Sequence, residues 1–81
     1  MFGKMKYVRF VSEFGVDSII IFSNLMNHAQ TVRGIRHTEV ISAGFVFFSE
    51  GAFICYGRSE SLDVNSRTED SDMLTKQMEV V

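Results

Sequence analysis

The sequence predicts an α+β domain, a mainly antiparallel sheet of four to five strands with two short helices in the order ββαβββα. Three observations predict it. Runs rich in Val, Ile, Tyr and Phe recur between turn residues, which favours extended backbone. A Ser-Glu-Gly triplet splits the longest apolar run into two arms of a hairpin. Two short segments carry the polar entry signals of helices.

Taken in order, Lys6–Val11 reads as the first strand, Phe14–Asp17 as a turn, and Ser18–Phe22, with three consecutive Ile, as the second strand. Asn27 and Gln30 have the spacing of a capping box, so a helix is expected over about 28–33, with Leu25 as an alternative start. Gly34 suits its C-terminal end, where positive φ is commonly needed. Glu39–Phe48 is the third and longest strand, and Ser49–Ala52 closes a tight hairpin in which Gly51 takes positive φ. Ala52–Arg58 is the fourth strand, with Gly57 marking a bulge or a close backbone approach. Ser59–Val64 follows as a short fifth strand or extended edge. Ser66 and Glu69 read as a second capping box, opening a helix over 67–78 with Met73, Leu74 and Met78 inward. Glu69, Asp70 and Asp72 lie where the helix dipole favours acids.

Length and composition bound the rest. The 81 residues make one domain, residues 1–81, with no repeat or linker. A chain this short buries only about 60% of its unfolded surface. Yet 46% of its residues are hydrophobic, eight of them Phe, and strands two and three are apolar on both faces. On strand three, Val40, Val46 and Phe48 alternate with Ile41, Ala43, Phe45 and Phe47. A half-solvated antiparallel sheet would alternate apolar with polar. Two short helices cover one such face more readily than two, so a homo-oligomer is expected. Loops and helix ends are the alternative cover.

A net charge of −2 with scattered basic residues argues against a nucleic-acid polymer as partner. Arg33, Arg36 and His37, the one local basic cluster, read as a helix end. No apolar run approaches the roughly 20 residues of a membrane span, and no secretory leader is legible. One cysteine excludes an intramolecular disulfide. The chain is therefore expected to be soluble, with no membrane partner.

Cys55 lies inside an apolar strand, where a free cysteine is usually a small buried hydrophobe rather than a nucleophile. His28, His37 and Cys55 lack the spacing of a zinc site, and no metal or cofactor is expected. No enzymatic activity is expected either. The candidate ligand-binding residues are His28, Tyr56, Arg58, Ser59 and Ser61. Tyr56 offers an aromatic face, Arg58 a guanidinium and the serines hydroxyls, a set that can hold a base and a phosphate. A polar strand edge has the same composition. Tyr56 and Arg58 should share one face, with Ser59 and Ser61 on the other, unless a bulge at Gly57 turns them together. His28, in the first turn of a helix, should be neutral and free to hydrogen-bond, or else packed.

His28-Ala29, Ser42-Ala43-Gly44-Phe45-Val46, Cys55-Tyr56-Gly57, Ser59-Glu60-Ser61-Leu62 and Ser66-Arg67-Thr68-Glu69-Asp70 occur in that order over nearly the full length. In these pieces the chain resembles a family of short uncharacterised proteins encoded by tailed bacteriophages and prophages. It departs from the family at Arg58, where an acid is frequent, and at Asp63 and Val64, where a small residue is. The resemblance implies a phage accessory role in the host cytoplasm and no particular chemistry. Joined to the residues, it gives the leading expectation of a small self-assembling, non-enzymatic protein that binds a host molecule. Its most concrete form is an anti-defence protein sequestering an immune nucleotide. The alternatives are a protein-binding inhibitor or adaptor, and a minor virion or assembly protein.

Overall fold

A computed structural model describes residues 4–79. Strands β1 (Met5–Ser12), β2 (Asp17–Phe22), β3 (His37–Ser49) and β4 (Ala52–Tyr56) form one antiparallel sheet in the order β2-β1-β3-β4. Helix α1 (His28–Arg33) joins β2 to β3. Two-residue strands β5 (Arg58–Ser59) and β6 (Val64–Asn65) form a separate small hairpin, and helix α2 (Glu69–Met78) follows. The α+β class and the antiparallel sheet are as the sequence predicts. The expected fifth strand is two short ones, which makes the order ββαββββα.

Each face of the sheet is covered by a different part of the chain. On one face Tyr7, Ile19 and Val46 pack with Leu74 of α2, flanked by Phe53, Cys55 and Met73. On the other, Val8, Phe10, Phe22 and Ala43 pack with Val32 of α1, and Leu62 and Val64 complete the layer. The β5–β6 hairpin thus supplies the cover that two short helices lack. The case for a second copy narrows to the far end of the β3–β4 hairpin, where Phe47, Phe48 and Ile54 are exposed.

Local rules hold at several points. Asn27 caps α1: its Oδ1 accepts the Gln30 N–H at 2.7 Å, and Gln30 Oε1 accepts the Asn27 N–H at 3.4 Å. Glu50 and Gly51 both have positive φ between the paired residues Ser49 and Ala52, the two-residue hairpin that twisted strands prefer.

Four local expectations are corrected. Gly34 ends α1 at φ −87, outside the left-handed region; its N–H donates to the Thr31 carbonyl at 3.1 Å and the Ile35 N–H to the Val32 carbonyl at 3.0 Å. The register between β1 and β3 shifts between Arg9 and Phe10, so that Ser42 pairs with Arg9 and Val40 with Phe10, leaving Ile41 extra. Val40 therefore joins Ala43 on the α1 side rather than Val46. Ser66 does not cap α2: its N–H donates to the Gly57 carbonyl at 2.9 Å, and the helix begins after Thr68 with no side-chain cap. Asp70 performs the reach-back instead, its Oδ2 accepting the Arg67 N–H at 2.9 Å. Finally, Met78 is exposed, and the fully buried residues of α2 are Leu74 and Asp70, one helical turn apart.

The buried Asp70 carboxylate is satisfied three ways. It accepts from the Tyr7 hydroxyl, from Arg9 at 3.0 Å and from the Arg67 N–H. Arg9 also bonds Asp17 through two nitrogens, at 3.0 and 2.7 Å, and Glu69 at 2.9 Å. Burial, then the Asp70 hydrogen bond, pushes the Tyr7 phenol well above its ordinary range. Arg9 holds the Asp17 carboxyl below its usual value. The network fixes the start of α2 to β1 and β2, and it involves none of the candidate site residues.

Candidate functional site

The site begins with a break in a strand. Gly57 has φ 79, a conformation that side chains resist, and it ends β4 one residue after Tyr56. Its neighbour in space is Gly44, where a Cβ would overlap the Tyr56 carbonyl oxygen. A Cβ on Gly57 would also crowd the Phe45 ring at 3.1 Å. The two glycines let the chain turn closely past β3. That turn sends Arg58 and the β5–β6 loop back beside α1.

The result is a cleft of about 520 Å³ lined by Lys4, Lys6, Asn27, His28, Phe45, Tyr56, Gly57, Arg58, Glu60 and Ser61. Phe45 and Tyr56 are cross-strand partners with ring centroids 5.9 Å apart, and they make its aromatic wall. Lys4 Nζ lies 4.4 Å from the Phe45 ring centroid, within cation–π range. Lys6 Nζ donates to the Met26 carbonyl at 2.8 Å. An ammonium has three donors, so both lysines keep bonding capacity. Arg58 is ion-paired to Asp63. Glu60 sets one carboxylate against these cations.

Four of the five candidate residues, His28, Tyr56, Arg58 and Ser61, therefore meet at one cleft, while Ser59 does not face it. Ser59 is buried, and its Oγ accepts the Leu62 N–H at 3.2 Å, which shapes the loop. Ser61 is also engaged: its Oγ accepts the Ala29 N–H of α1 at 3.1 Å and ties the loop to the helix. His28 is floor rather than reagent. It is 3% exposed, its Nε2 donates to the Gly44 carbonyl at 2.9 Å, and its ring meets Phe22 and Phe45 edge-on. Burial lowers its pKa below the ordinary value, which keeps the imidazole neutral.

Lys4, Lys6, Asn27, Phe45 and Glu60 escaped the sequence reading. Phe45 was within reach of it. A two-residue turn at Glu50-Gly51 fixes the hairpin register and places Phe45 opposite Tyr56. The lysines carried no such signal, because their approach depends on the pairing of β1 with β3.

Cys55 sits on the opposite face from His28, packed in the α2 layer. Burial pushes its thiol up to about 11, so at neutral pH it is a protonated, poorly nucleophilic group. Among the described residues no three His, Cys, Asp or Glu side chains are grouped to hold a metal ion. No helix among them is long and apolar enough to cross a membrane. The fold and cleft define a small α+β protein with a basic, aromatic-walled surface site. Comparison with family models, curated proteins and solved structures finds no match to this chain.

Proposed function

We propose that this chain is a non-enzymatic binding protein whose cleft holds a small aromatic anion, in the most concrete form a nucleotide. One observation carries the reading: Lys4, Lys6 and Arg58 converge on the aromatic wall made by Phe45 and Tyr56. A planar base stacks on such a wall, and a phosphate takes charged hydrogen bonds from the cations. The groups that would otherwise suggest catalysis are engaged in the fold, His28 on Gly44 and Cys55 in the α2 layer. The resemblance to short phage-encoded proteins supplies the setting, sequestration of a host immune nucleotide in the host cytoplasm.

The test is direct. Protein purified from phage-infected cells is denatured and the released small molecules are read by mass spectrometry, while the refolded protein is titrated with a nucleotide panel by calorimetry. A bound nucleotide, and a loss of about 1–3 kcal/mol of affinity in Tyr56→Ala, are expected. A protein that releases no nucleotide and gives no heat with any of the panel overturns the reading.

A specific observation favours a second reading, a protein-binding inhibitor or adaptor. The cross-strand partners Phe47 and Ile54 are exposed on one face near the end of the β3–β4 hairpin, beside Tyr56 of the cleft wall, while Phe48 is exposed on the opposite face against Phe53. Clustered exposed aromatic residues are typical of protein contacts. The expected self-association draws its support from the same surface. Co-purification of one host protein, lost in Phe47→Glu, would favour the adaptor. A change of oligomeric state alone would favour self-assembly.

A further inference from the structure

Arg58 meets the cleft already occupied. Its Nη2 donates to Asp63 Oδ1, so the one guanidinium of the site already has an ion-pair partner, a residue that does not itself line the cleft. Both partners are accessible, the side chains being 43% and 88% exposed, so water and salt compete with the pair. Asp63 also has φ 55, in the left-handed region. Asp and Asn are the non-glycine residues that most readily adopt it.

The loop does not depend on this ion pair for its shape. The β5–β6 register joins Arg58 to Asn65 and Ser59 to Val64. Ser59 Oγ holds the Leu62 N–H, and Ser61 Oγ anchors the loop to α1. The charge of Asp63 is therefore separable from the geometry of the loop.

We propose that Asp63 is a built-in competitor for the anionic group of the ligand, so that binding exchanges the Arg58–Asp63 pair for an Arg58–phosphate pair. The proposal rests on the reading of the cleft as a nucleotide site. Asp63 thereby sets affinity from outside the cleft. It also selects for ligands whose phosphate outcompetes a carboxylate for a planar guanidinium that can offer it two parallel N–H bonds. An uncharged nucleoside cannot make that exchange and stacks on the aromatic wall without displacing Asp63.

The test is a double-mutant cycle read with fluorescently labelled ADP by anisotropy, at low and at physiological salt. Asp63→Asn removes the charge and keeps a residue suited to positive φ. Asp63→Gly is the second variant should the first unfold, and circular dichroism verifies both. Asp63→Asn is expected to bind the probe roughly three- to five-fold tighter, about the worth of an exposed ion pair. In an Arg58→Gln background the gain should vanish, because the competitor then has nothing to hold. Affinity for unlabelled adenosine, read by competition, should not change. Wild-type binding with no gain in Asp63→Asn overturns the competitor and leaves the cleft reading intact. An equal gain in the Arg58→Gln background also overturns it, since the effect would then be general charge. No binding by the wild type or by either Asp63 variant overturns both.

Discussion

Ser71 Oγ accepts the backbone N–H of Cys55 at 2.8 Å, and one helical turn later Thr75 Oγ1 accepts that of Phe53 at 2.9 Å. Strand β4 is an edge of the sheet, so alternate N–H groups have no strand to meet. Four residues of helix rise about 6 Å and two residues of strand about 6.6 Å, so hydroxyls at i and i+4 match amides at i and i+2. Helix α2 thereby closes an edge that would otherwise invite pairing with another chain.

Ser71→Ala and Thr75→Val should each cost about 1–3 kcal/mol, because each leaves a part-buried N–H unpaired. Urea denaturation measures the loss. Hydrogen exchange should quicken first at the Cys55 and Phe53 amides. Unchanged protection at both would show that the hydroxyls contribute nothing to the edge.

Tyr7 and Asp70 bond each other at full burial, and Arg9 completes the Asp70 carboxylate. Tyr7→Phe should destabilise by about 1–3 kcal/mol, through one lost hydrogen bond to a buried charge. Asp70→Ala should cost more, roughly 3–5 kcal/mol, since it breaks a buried pair and frees the Arg67 N–H as well. Chemical denaturation ranks the two. The reverse order would place the main restraint on α2 elsewhere.

His28 gives the fold a dependence on acid. Its folded pKa lies below the unfolded value of about 6.5, because burial disfavours the imidazolium. The unfolded chain therefore binds the proton first. The stability this group supports is full above the unfolded pKa and falls as pH drops towards the folded one. His28→Gln, which keeps a donor for the Gly44 carbonyl, should flatten that part of the curve. Melting temperature against pH, for wild type and variant, checks it. Parallel curves would exclude His28 as the cause.

Phe47 and Phe48 are 39% and 46% exposed. With both rings at the surface, Phe47→Glu and Phe48→Glu should each change stability by less than about 1 kcal/mol. Light scattering then measures self-association without the complication of unfolding. A stable wild-type monomer at micromolar concentration would remove the homo-oligomer.

Much of the fold was legible because its signals are local. Asn27 and Gln30 stand three apart, and the cap they form needs only one turn of helix. Glu50-Gly51 lies between two apolar arms, and the hairpin needs only its own turn. Tyr56, Arg58 and Ser61 were legible as a polar cluster because they are near in sequence and a glycine stands among them. The same local logic failed at Ser66. The spacing to Glu69 imitates a cap, but the Ser66 N–H is drawn to the Gly57 carbonyl and Asp70 turns inward to Tyr7.

Local sequence pattern is enough for the α+β class, the antiparallel hairpins, the capped first helix and the polar stretch that carries one side of the cleft. Periodicity and turn chemistry act between neighbours, and neighbours are what a sequence displays. Assembly of the fold sets four things: that Asp70 is buried, that an extra residue at Ile41 turns Val40 to the other face, that Lys4 and Lys6 approach Phe45 and Tyr56, and that Asp63 already holds Arg58. Three of these, the burial, the face change and the approach of the lysines, depend on which distant strand or helix arrives alongside. The Arg58–Asp63 pair joins near neighbours, but it forms only because Gly57 and Asp63 adopt positive φ and fold the β5–β6 loop back on itself. A charge is buried or left in water according to the partner it meets there.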